Sequence, residues 1–145
     1  MSDLDDVPPP GAPTHRITVT AQPDDIDELD HVSNLVYVRW VQDVAMAHTH
    51  AVGWGHPEYR ALGAIFVVRR HEIEYRIPVV LGDDVELTTW VPSWKAASSV
   101  RRTAMRRVRD QAIVARATTQ WAFIDLASGR PRRIPDDVRA AFGLV

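Results

Sequence analysis

The strongest constraint on the fold is a single long helical stretch in a chain whose other segments resemble strands. From Asn34 to about Val52, residues on one face recur at helical spacing: Tyr37, Val41, Val44, His48 and Ala51. Most other positions in this stretch are also apolar, which is typical of a helix that is largely buried. Ser33 or Asn34 is suited to cap its start, and Gly53 with Gly55 is suited to end it.

Strand patterns surround this helix. One precedes it at residues 15–21, and four follow, at residues 64–77, 85–91, 98–109 and 112–124. Pro92 is expected to end the third strand, and residues 136–142 are expected to form a short C-terminal helix. Successive strands joined by short turns predict an antiparallel meander, and the apolar helix must be buried against it. The fold class is therefore α+β, and an open edge strand favours pairing with a second copy.

Composition and charge indicate one globular domain. The chain has 145 residues, 46% of them hydrophobic, and a formal net charge of -2. This charge favours neither nucleic acid nor an anionic membrane as a partner. The absence of cysteine excludes disulfides and a Cys nucleophile, and it is compatible with a cytoplasmic location. Residues 1–13 are acidic and proline-rich without secretory features, so we expect a disordered or loosely extended tail before a single domain at 14–145.

An acidic loop leads into the helix, with the sequence Asp25-Ile26-Asp27-Glu28-Leu29-Asp30-His31-Val32-Ser33-Asn34-Leu35-Val36-Tyr37. Carboxylates are common before a helix because they interact favourably with the positive end of the helix dipole. The position of these acidic residues is therefore equally well explained by helix capping and solubility. The stretch resembles the pattern Asp-x-Asp-x-x-Gly-His-Val-Asn-Asn-x-x-Tyr of the hotdog-fold acyl-CoA thioesterases, in the branch containing 4-hydroxybenzoyl-CoA thioesterase. The order of elements is similar as well, so the resemblance covers about residues 15–140. Asp30 replaces the usual Gly, and Ser33 replaces the first Asn.

The resemblance implies a hotdog fold, in which an antiparallel sheet of about five strands wraps around one long helix. It implies hydrolysis of an acyl-CoA without a cofactor, in a homodimer or homotetramer with pockets between subunits. Asp27 would be the nucleophile or general base, and the Asn34 backbone N–H would stabilise the oxyanion. Asp30 puts the loop conformation in question, because Gly adopts positive φ more readily than Asp does.

Further residues are predicted to bind the substrate. His31 would contact it or hold the loop, and Tyr37 would line the acyl pocket or pack in the core. The resemblance implies that basic residues in the turn at residues 94–98 meet the phosphates of CoA. The candidates here are Lys95 and Ser98 in the turn and Arg101 just beyond it. Because only Lys95 is a basic residue of the turn itself, acyl carrier protein remains an alternative carrier. A solvated sheet face or an interface is the other explanation for the arginine-rich strand.

Other chemistries are less well supported. His48 and His50 point in nearly opposite directions on a helix and predict no metal site. Ser98 and Ser99 lack a recognisable His–Asp arrangement, which argues against a serine hydrolase. Two alternatives remain: a non-catalytic hotdog domain that binds acyl-CoA or an acyl carrier, and a hydratase or dehydratase using His31. The acyl group is not determined by the sequence; the residues expected to shape its pocket are Trp54, Tyr59, Phe66 and Trp90.

Overall fold

In the computed structural model, one five-stranded antiparallel sheet packs against the long helix. The structure describes residues 6–144. The elements in chain order are β1 (Thr14–Thr20), a 3-10 turn (Pro23–Asp25), α1 (Asn34–Ala51), α2 (His56–Leu62), β2 (Ala64–Tyr75), β3 (Asp84–Trp94), β4 (Ser98–Arg107), β5 (Ile113–Asp125) and α3 (Asp136–Ala141). The strand order is β1-β3-β4-β5-β2, with antiparallel pairing throughout. The predicted α+β architecture of about five strands around one helix is confirmed.

Helix α1 begins and ends where its flanking residues favour it. Ser33 is the N-cap, because its side-chain oxygen accepts a hydrogen bond from Leu35 N at 3.3 Å. Gly53 lies just beyond the helix with φ of +89°, a conformation that ends helices and costs glycine little. Between them Val41 and Val44 are completely buried, whereas Ala51 is exposed, so the buried face is shorter than predicted. No helix within residues 6–144 is long and apolar enough to cross a membrane.

The core has two parts, which together hold α1 and the C-terminal segment against the sheet. The larger part joins α1 to the sheet through Tyr37, Trp40, Val41, Val44, Val85, Leu87, Met105, Val114 and Ala115. The smaller part joins α2, β2, β5 and α3 through Tyr59, Ala64, Phe123, Ile134, Val138 and Phe142. Burying each large apolar side chain stabilises the fold by roughly 1.5–3 kcal/mol. This second part meets the distal half of α1 where His48 packs against Phe142 and Thr49 donates to Tyr59.

Two expectations about the strands are wrong. Strand β2 pairs with β5 and not with β3, so only β3, β4 and β5 form a meander. Both sides of β3 are occupied, by β1 and β4, and β2 therefore lies at the far edge of the sheet. Strand β3 also continues past Pro92 to Trp94. A register shift between Trp90 and Ser93 accommodates the proline, which has no N–H to donate to a ladder.

The segment before β1 contacts the sheet. Asp6 is buried and forms ion pairs with Arg76 at 2.9 Å and Arg116 at 3.3 Å. Asp6 therefore holds the start of the described segment against the sheet, and the expectation of a disordered or loosely extended tail at residues 1–13 stays a prediction. The remaining part of that predicted tail, residues 1–5, lies outside the described residues.

Candidate active site

The acidic loop folds back onto the start of α1. Ser33 N donates to the carbonyl oxygen of Asp25 at 2.9 Å, which closes the loop at its base. Within the loop, Asp27 N donates to the carbonyl oxygen of His31 at 2.9 Å. These backbone bonds hold Asp27 at the same end of α1 as Asn34, the first helical residue. The carboxylate and the positive end of the helix dipole are therefore positioned by one short segment.

Asp30 keeps the backbone conformation that a glycine would be expected to adopt here. Its φ is +62°, in the left-handed region, and its N–H donates to the carbonyl oxygen of Asp27 at 3.0 Å. Asp is among the few residues other than Gly that visit this region with modest strain. The replacement therefore adds a charge to the loop without removing the turn.

Two carboxylates of the loop are in different environments. Asp25 is buried, accepts a hydrogen bond from Gln22 N at 2.9 Å and pairs with Arg39 at 2.9 Å. Burial by itself would raise the pKa of Asp25, but the Gln22 N–H and the Arg39 guanidinium outweigh it and lower that pKa. Asp27 is half-buried, and its Oδ1 accepts from Leu29 N at 2.9 Å. Its Oδ2 has no hydrogen-bond partner within residues 6–144, so Asp27 is the carboxylate with an oxygen available for chemistry.

One backbone N–H in the first turn of α1 is also available. Leu35 N donates to the Ser33 side chain, and Val36 N donates to the Ser33 carbonyl oxygen at 2.9 Å. Asn34 N has no acceptor in the described part of the chain. A free N–H at a helix start, supported by the helix dipole, is a suitable site for a developing oxyanion.

A cavity of about 580 Å³ lies between the second half of α1 and strand β2. Its lining is mostly apolar: Gln42, Ala45, Met46, Thr49, His56, Tyr59, Ile65, Phe66, Val67, Val68, Val91, Trp94, Ser99, Arg101, Trp121 and Phe142. Of the aromatic residues expected to shape a pocket, Tyr59 and Phe66 line it. Trp54 packs beside Tyr59 with ring centroids 5.2 Å apart, and Trp90 is buried outside this lining.

The cavity and the acidic loop lie at different ends of the helix. None of the residues predicted from the motif lines the cavity. The α1 residues that line the cavity run from Gln42 to Thr49, and the rise of an α-helix places them about 12 to 22 Å from Asn34. Within one chain, an acyl group filling the cavity would therefore be far from the Asn34 N–H.

Arg101 is located inside the protein, although the sequence suggested that it meets CoA phosphates. It is 6% exposed, and its Nη1 donates to His48 Nδ1 at 2.9 Å and to Thr89 Oγ1 at 3.0 Å. Burial, with the Arg101 charge as a further cause, lowers the pKa of His48 to about 3, so the imidazole is neutral and accepts. Burial lowers the pKa of Arg101 to about 10, which leaves it protonated at neutral pH. This placement does not suit binding to a surface nucleotide.

Tyr37 lies in the core, whereas His31 lies half-buried in the acidic loop. Tyr37 is 3% exposed and packs edge-on between Trp40 and Tyr75, with centroids 5.4 and 5.1 Å away. Of its two expected roles, core packing is the one that its position supports. His31 is half-buried, and within residues 6–144 its side chain forms no hydrogen bond or ion pair with Asp27. The pairing of His31 with Asp27 that the hydratase alternative would use is therefore not formed among residues 6–144.

A second groove, of about 400 Å³, contains two of the residues predicted to bind the carrier. Lys95 and Ser98 line it together with Arg69. Both Lys95 and Arg69 are exposed. Sequence reasoning missed Arg69, because its position depends on the register shift between Val68 and Arg70 in the β2–β5 pairing. Strict alternation along β2 does not reveal such a shift.

Potential metal ligands are not gathered in one place. Within residues 6–144, no group of three or more His, Asp or Glu residues is arranged to hold a metal ion. His48 is buried against Arg101, whereas His50 is exposed on another side of α1.

Known proteins resemble this chain in sequence and in fold. The oleoyl-acyl carrier protein thioesterase of Coriandrum sativum is 30% identical over 106 residues, covering 68% of this chain and 28% of that protein. The chain spans less than a third of the length of the curated relatives it matches. A 1,4-dihydroxy-2-naphthoyl-CoA thioesterase from Synechocystis superposes with a TM-score of 0.83 at 14% identity, over 89% of this chain and 95% of that one. A Staphylococcus aureus protein in complex with CoA superposes with a TM-score of 0.84 at 16% identity, over 88% of this chain and 80% of that one.

The family assignment rests on a match over most of the chain. A family model described as the thioesterase-like superfamily matches residues 21–142, from the acidic loop to α3. The solved structures share the fold, and the predicted resemblance to hotdog thioesterases is confirmed. This chain belongs to the thioesterase-like superfamily.

Proposed function

We propose that this protein hydrolyses an acyl thioester, with CoA as the carrier, to a free acid and a thiol. The observation that carries the proposal is the free N–H of Asn34 beside the loop that holds Asp27. Family membership supports the reaction type. The names of the similar proteins, which act on acyl-CoA or acyl carrier protein thioesters, support the substrate class.

The arrangement suggests how the thioester bond is broken. The Asn34 N–H donates to the thioester carbonyl oxygen, where negative charge develops, and the dipole of α1 reinforces this interaction. In one route, Asp27 Oδ2 attacks the carbonyl carbon, the thiolate leaves, and water cleaves the resulting anhydride. In the other route, Asp27 takes a proton from a water molecule that attacks the same carbon. Trapping an acyl-enzyme with hydroxylamine would distinguish the first route from the second.

A homodimer would bring the separated parts of the site together. The cavity lies beside β2, which is an edge strand of the sheet and has residues free to pair. Pairing β2 with β2 of a second copy about a two-fold axis would place the two α1 helices side by side. Each cavity would then be completed by Asp27 and Asn34 of the other copy. The separation of at least about 12 Å along α1 between Asn34 and the cavity lining of the same chain supports this arrangement.

Substitution of Asp27 tests the catalytic assignment. We expect Asp27→Asn to lower kcat on a panel of acyl-CoA thioesters by about 10²-fold or more, because an amide neither attacks nor accepts the proton. The melting temperature should be nearly unchanged, since Asn can still accept from Leu29 N. Glu28→Gln, which removes an exposed charge from the same loop, is the matched control. Near-normal turnover by folded Asp27→Asn would refute the assignment. If the wild-type protein binds the acyl-CoA thioesters but hydrolyses none of them, the non-catalytic alternative is favoured.

Mixing two inactive variants tests whether the site is shared. Asp27→Asn lacks the carboxylate, and Met46→Trp fills the cavity lining. Random exchange should restore about a quarter of the wild-type activity, because half of the dimers are mixed and each contains one intact shared site. If both parts of the site came from one chain, mixing would restore nothing. Light scattering on the same samples establishes whether dimers or tetramers are present.

The groove lined by Arg69 and Lys95 is the proposed binding place for the phosphates of the carrier. Lys95→Ala should raise KM for acyl-CoA several-fold with little effect on kcat, because it removes a charge far from the reacting bond. Comparing acyl-CoA with acyl carrier protein thioesters of the same chain length identifies the carrier. The cytoplasmic location remains a prediction from the absence of cysteine, and cell fractionation tests it.

A further inference from the structure

The cavity between α1 and β2 has one Arg, Lys, Asp or Glu side chain in its lining. Arg101 is the only Arg, Lys, Asp or Glu among the residues that line it. It is almost completely buried, and no carboxylate within residues 6–144 forms an ion pair with it. Burying a charge without a counter-ion is costly, and proteins rarely do so without a compensating partner. The Phe142 ring, whose centroid lies 6.0 Å from Arg101 Cζ, offers a cation–π contact but no negative charge. The described chain therefore leaves this buried positive charge without a counter-ion at the cavity wall.

The hydrogen bonds of Arg101 leave one edge of its guanidinium available. Nη1 is occupied on both sides, by His48 Nδ1 at 2.9 Å and by Thr89 Oγ1 at 3.0 Å. The neutral imidazole accepts a hydrogen bond but contributes no negative charge. The Nε and Nη2 groups have no hydrogen-bond partner in the described part of the chain. Together they present two parallel N–H bonds, the geometry that binds a carboxylate at two points.

A second unpaired donor lies on the same face of the sheet. The register pairs Arg101 with Thr119 and Ser99 with Trp121, so Arg101 and Trp121 face the same side of neighbouring strands. Trp121 also lines the cavity, and its indole Nε1 is buried without a partner among residues 6–144. Two donors without acceptors in one apolar cavity indicate a ligand that brings oxygen atoms with it.

We propose that this cavity binds an acyl group that carries a carboxylate at the end remote from the thioester, with Arg101 as the residue that selects it. The inference rests on the proposed thioester hydrolysis and names the substrate class. The apolar wall formed by Met46, Phe66 and Val68 contacts the chain or ring between the two ends. A carboxylate is favoured over a hydroxyl because it both occupies the donors and neutralises the buried charge.

A comparison of two ligands tests the proposal in the wild-type protein. A diacid product and its methyl ester at the remote end differ only in the group that would meet Arg101. The corresponding pair of CoA thioesters tests the same contact during turnover. We expect the carboxylate to be preferred by at least about 30-fold, in calorimetric Kd for the acids and in kcat/KM for the thioesters. Equal values, or a preference for the ester, would overturn the proposal.

Variants assign the preference to one residue. Arg101→Gln and Arg101→Met should abolish the preference, measured in the folded variants as the ratio of Kd values for the diacid and its methyl ester. Arg60→Gln, which removes an exposed arginine of α2 outside the lining, should leave the preference unchanged. A preference that survives in folded Arg101 variants would refute the role of Arg101. If neither thioester is hydrolysed but the diacid binds through Arg101, the proposed function fails and the carboxylate site stands.

Discussion

Asp25 and Asp27 are two residues apart, and the structure predicts that replacing Asp25 affects stability rather than catalysis. The Asp25 carboxylate accepts from Gln22 N and from Arg39, both at 2.9 Å, and its side chain is 5% exposed. Asp25→Asn retains the shape and one acceptor oxygen. It removes the charge and replaces one acceptor oxygen with an NH2 group, which cannot accept a hydrogen bond from Gln22 N or from Arg39.

The expected loss of stability is modest. Because the Arg39 side chain is 55% exposed, water screens the ion pair, which contributes about 0.5–1 kcal/mol. Replacing the charge-assisted hydrogen bond from Gln22 N with a neutral one costs roughly another 0.5–1 kcal/mol. The sum, about 1–2 kcal/mol, corresponds to a fall of roughly 2–8 °C in melting temperature for a domain of this size. Catalytic turnover per folded molecule should stay within about threefold of wild type.

The pH dependence of this difference provides a second check. The pKa of Asp25 is lowered in the folded state from its ordinary value of 3.8. Asp25 therefore binds a proton more readily in the unfolded chain than in the folded one. Its stabilisation of the fold is complete above pH 3.8 and is lost as the pH falls through the pKa that Asp25 has in the folded state. Urea titrations of wild type and Asp25→Asn should show the same difference in the free energy of unfolding at pH 7 and pH 5. That difference should be smaller at pH 3. A gap that does not change with pH, or an unchanged melting temperature, would refute this account.

Three further predictions concern the helix, the loop and the buried imidazole. Ser33→Ala should lower stability by about 0.5–1 kcal/mol in urea titrations, with Ser33→Asn near wild type, because the cap to Leu35 N is lost only in the first. Asp30→Val should cost about 1–2 kcal/mol while Asp30→Gly stays stable, because φ of +62° disfavours a β-branched residue; equal stabilities would contradict this reasoning. His48 has a folded pKa of about 3 against an ordinary 6.5, so wild-type stability should fall by about 1–2 kcal/mol from pH 7 to 5. His48→Gln should flatten that slope, and an unchanged slope would show that other groups cause it.

Much of the candidate site was predictable because it is local. The acidic loop, the cap and the first turn of α1 occupy one continuous stretch, so the resemblance of that stretch alone implied both Asp27 and the Asn34 N–H. Their catalytic roles stay predictions. The resemblance singled out Asp27, but the physical difference between Asp25 and Asp27 was not predictable from the sequence. It depends on Arg39, which follows Asp25 by 14 residues, and on which N–H donates to each carboxylate oxygen. Likewise, only the complete set of hydrogen bonds shows that Asn34 N is the free donor.

Local sequence patterns account for the long helix and the strands. Periodicity and turn residues depend on neighbours a few positions away, so α1 and the five strands followed from them, and the cap was narrowed to Ser33 or Asn34. The tertiary structure alone decided the position of β2 at the far edge beside β5, and with it the cavity. It also decided that Arg101 is buried against His48, because alternation assigns a residue to a face of the sheet without saying what covers that face.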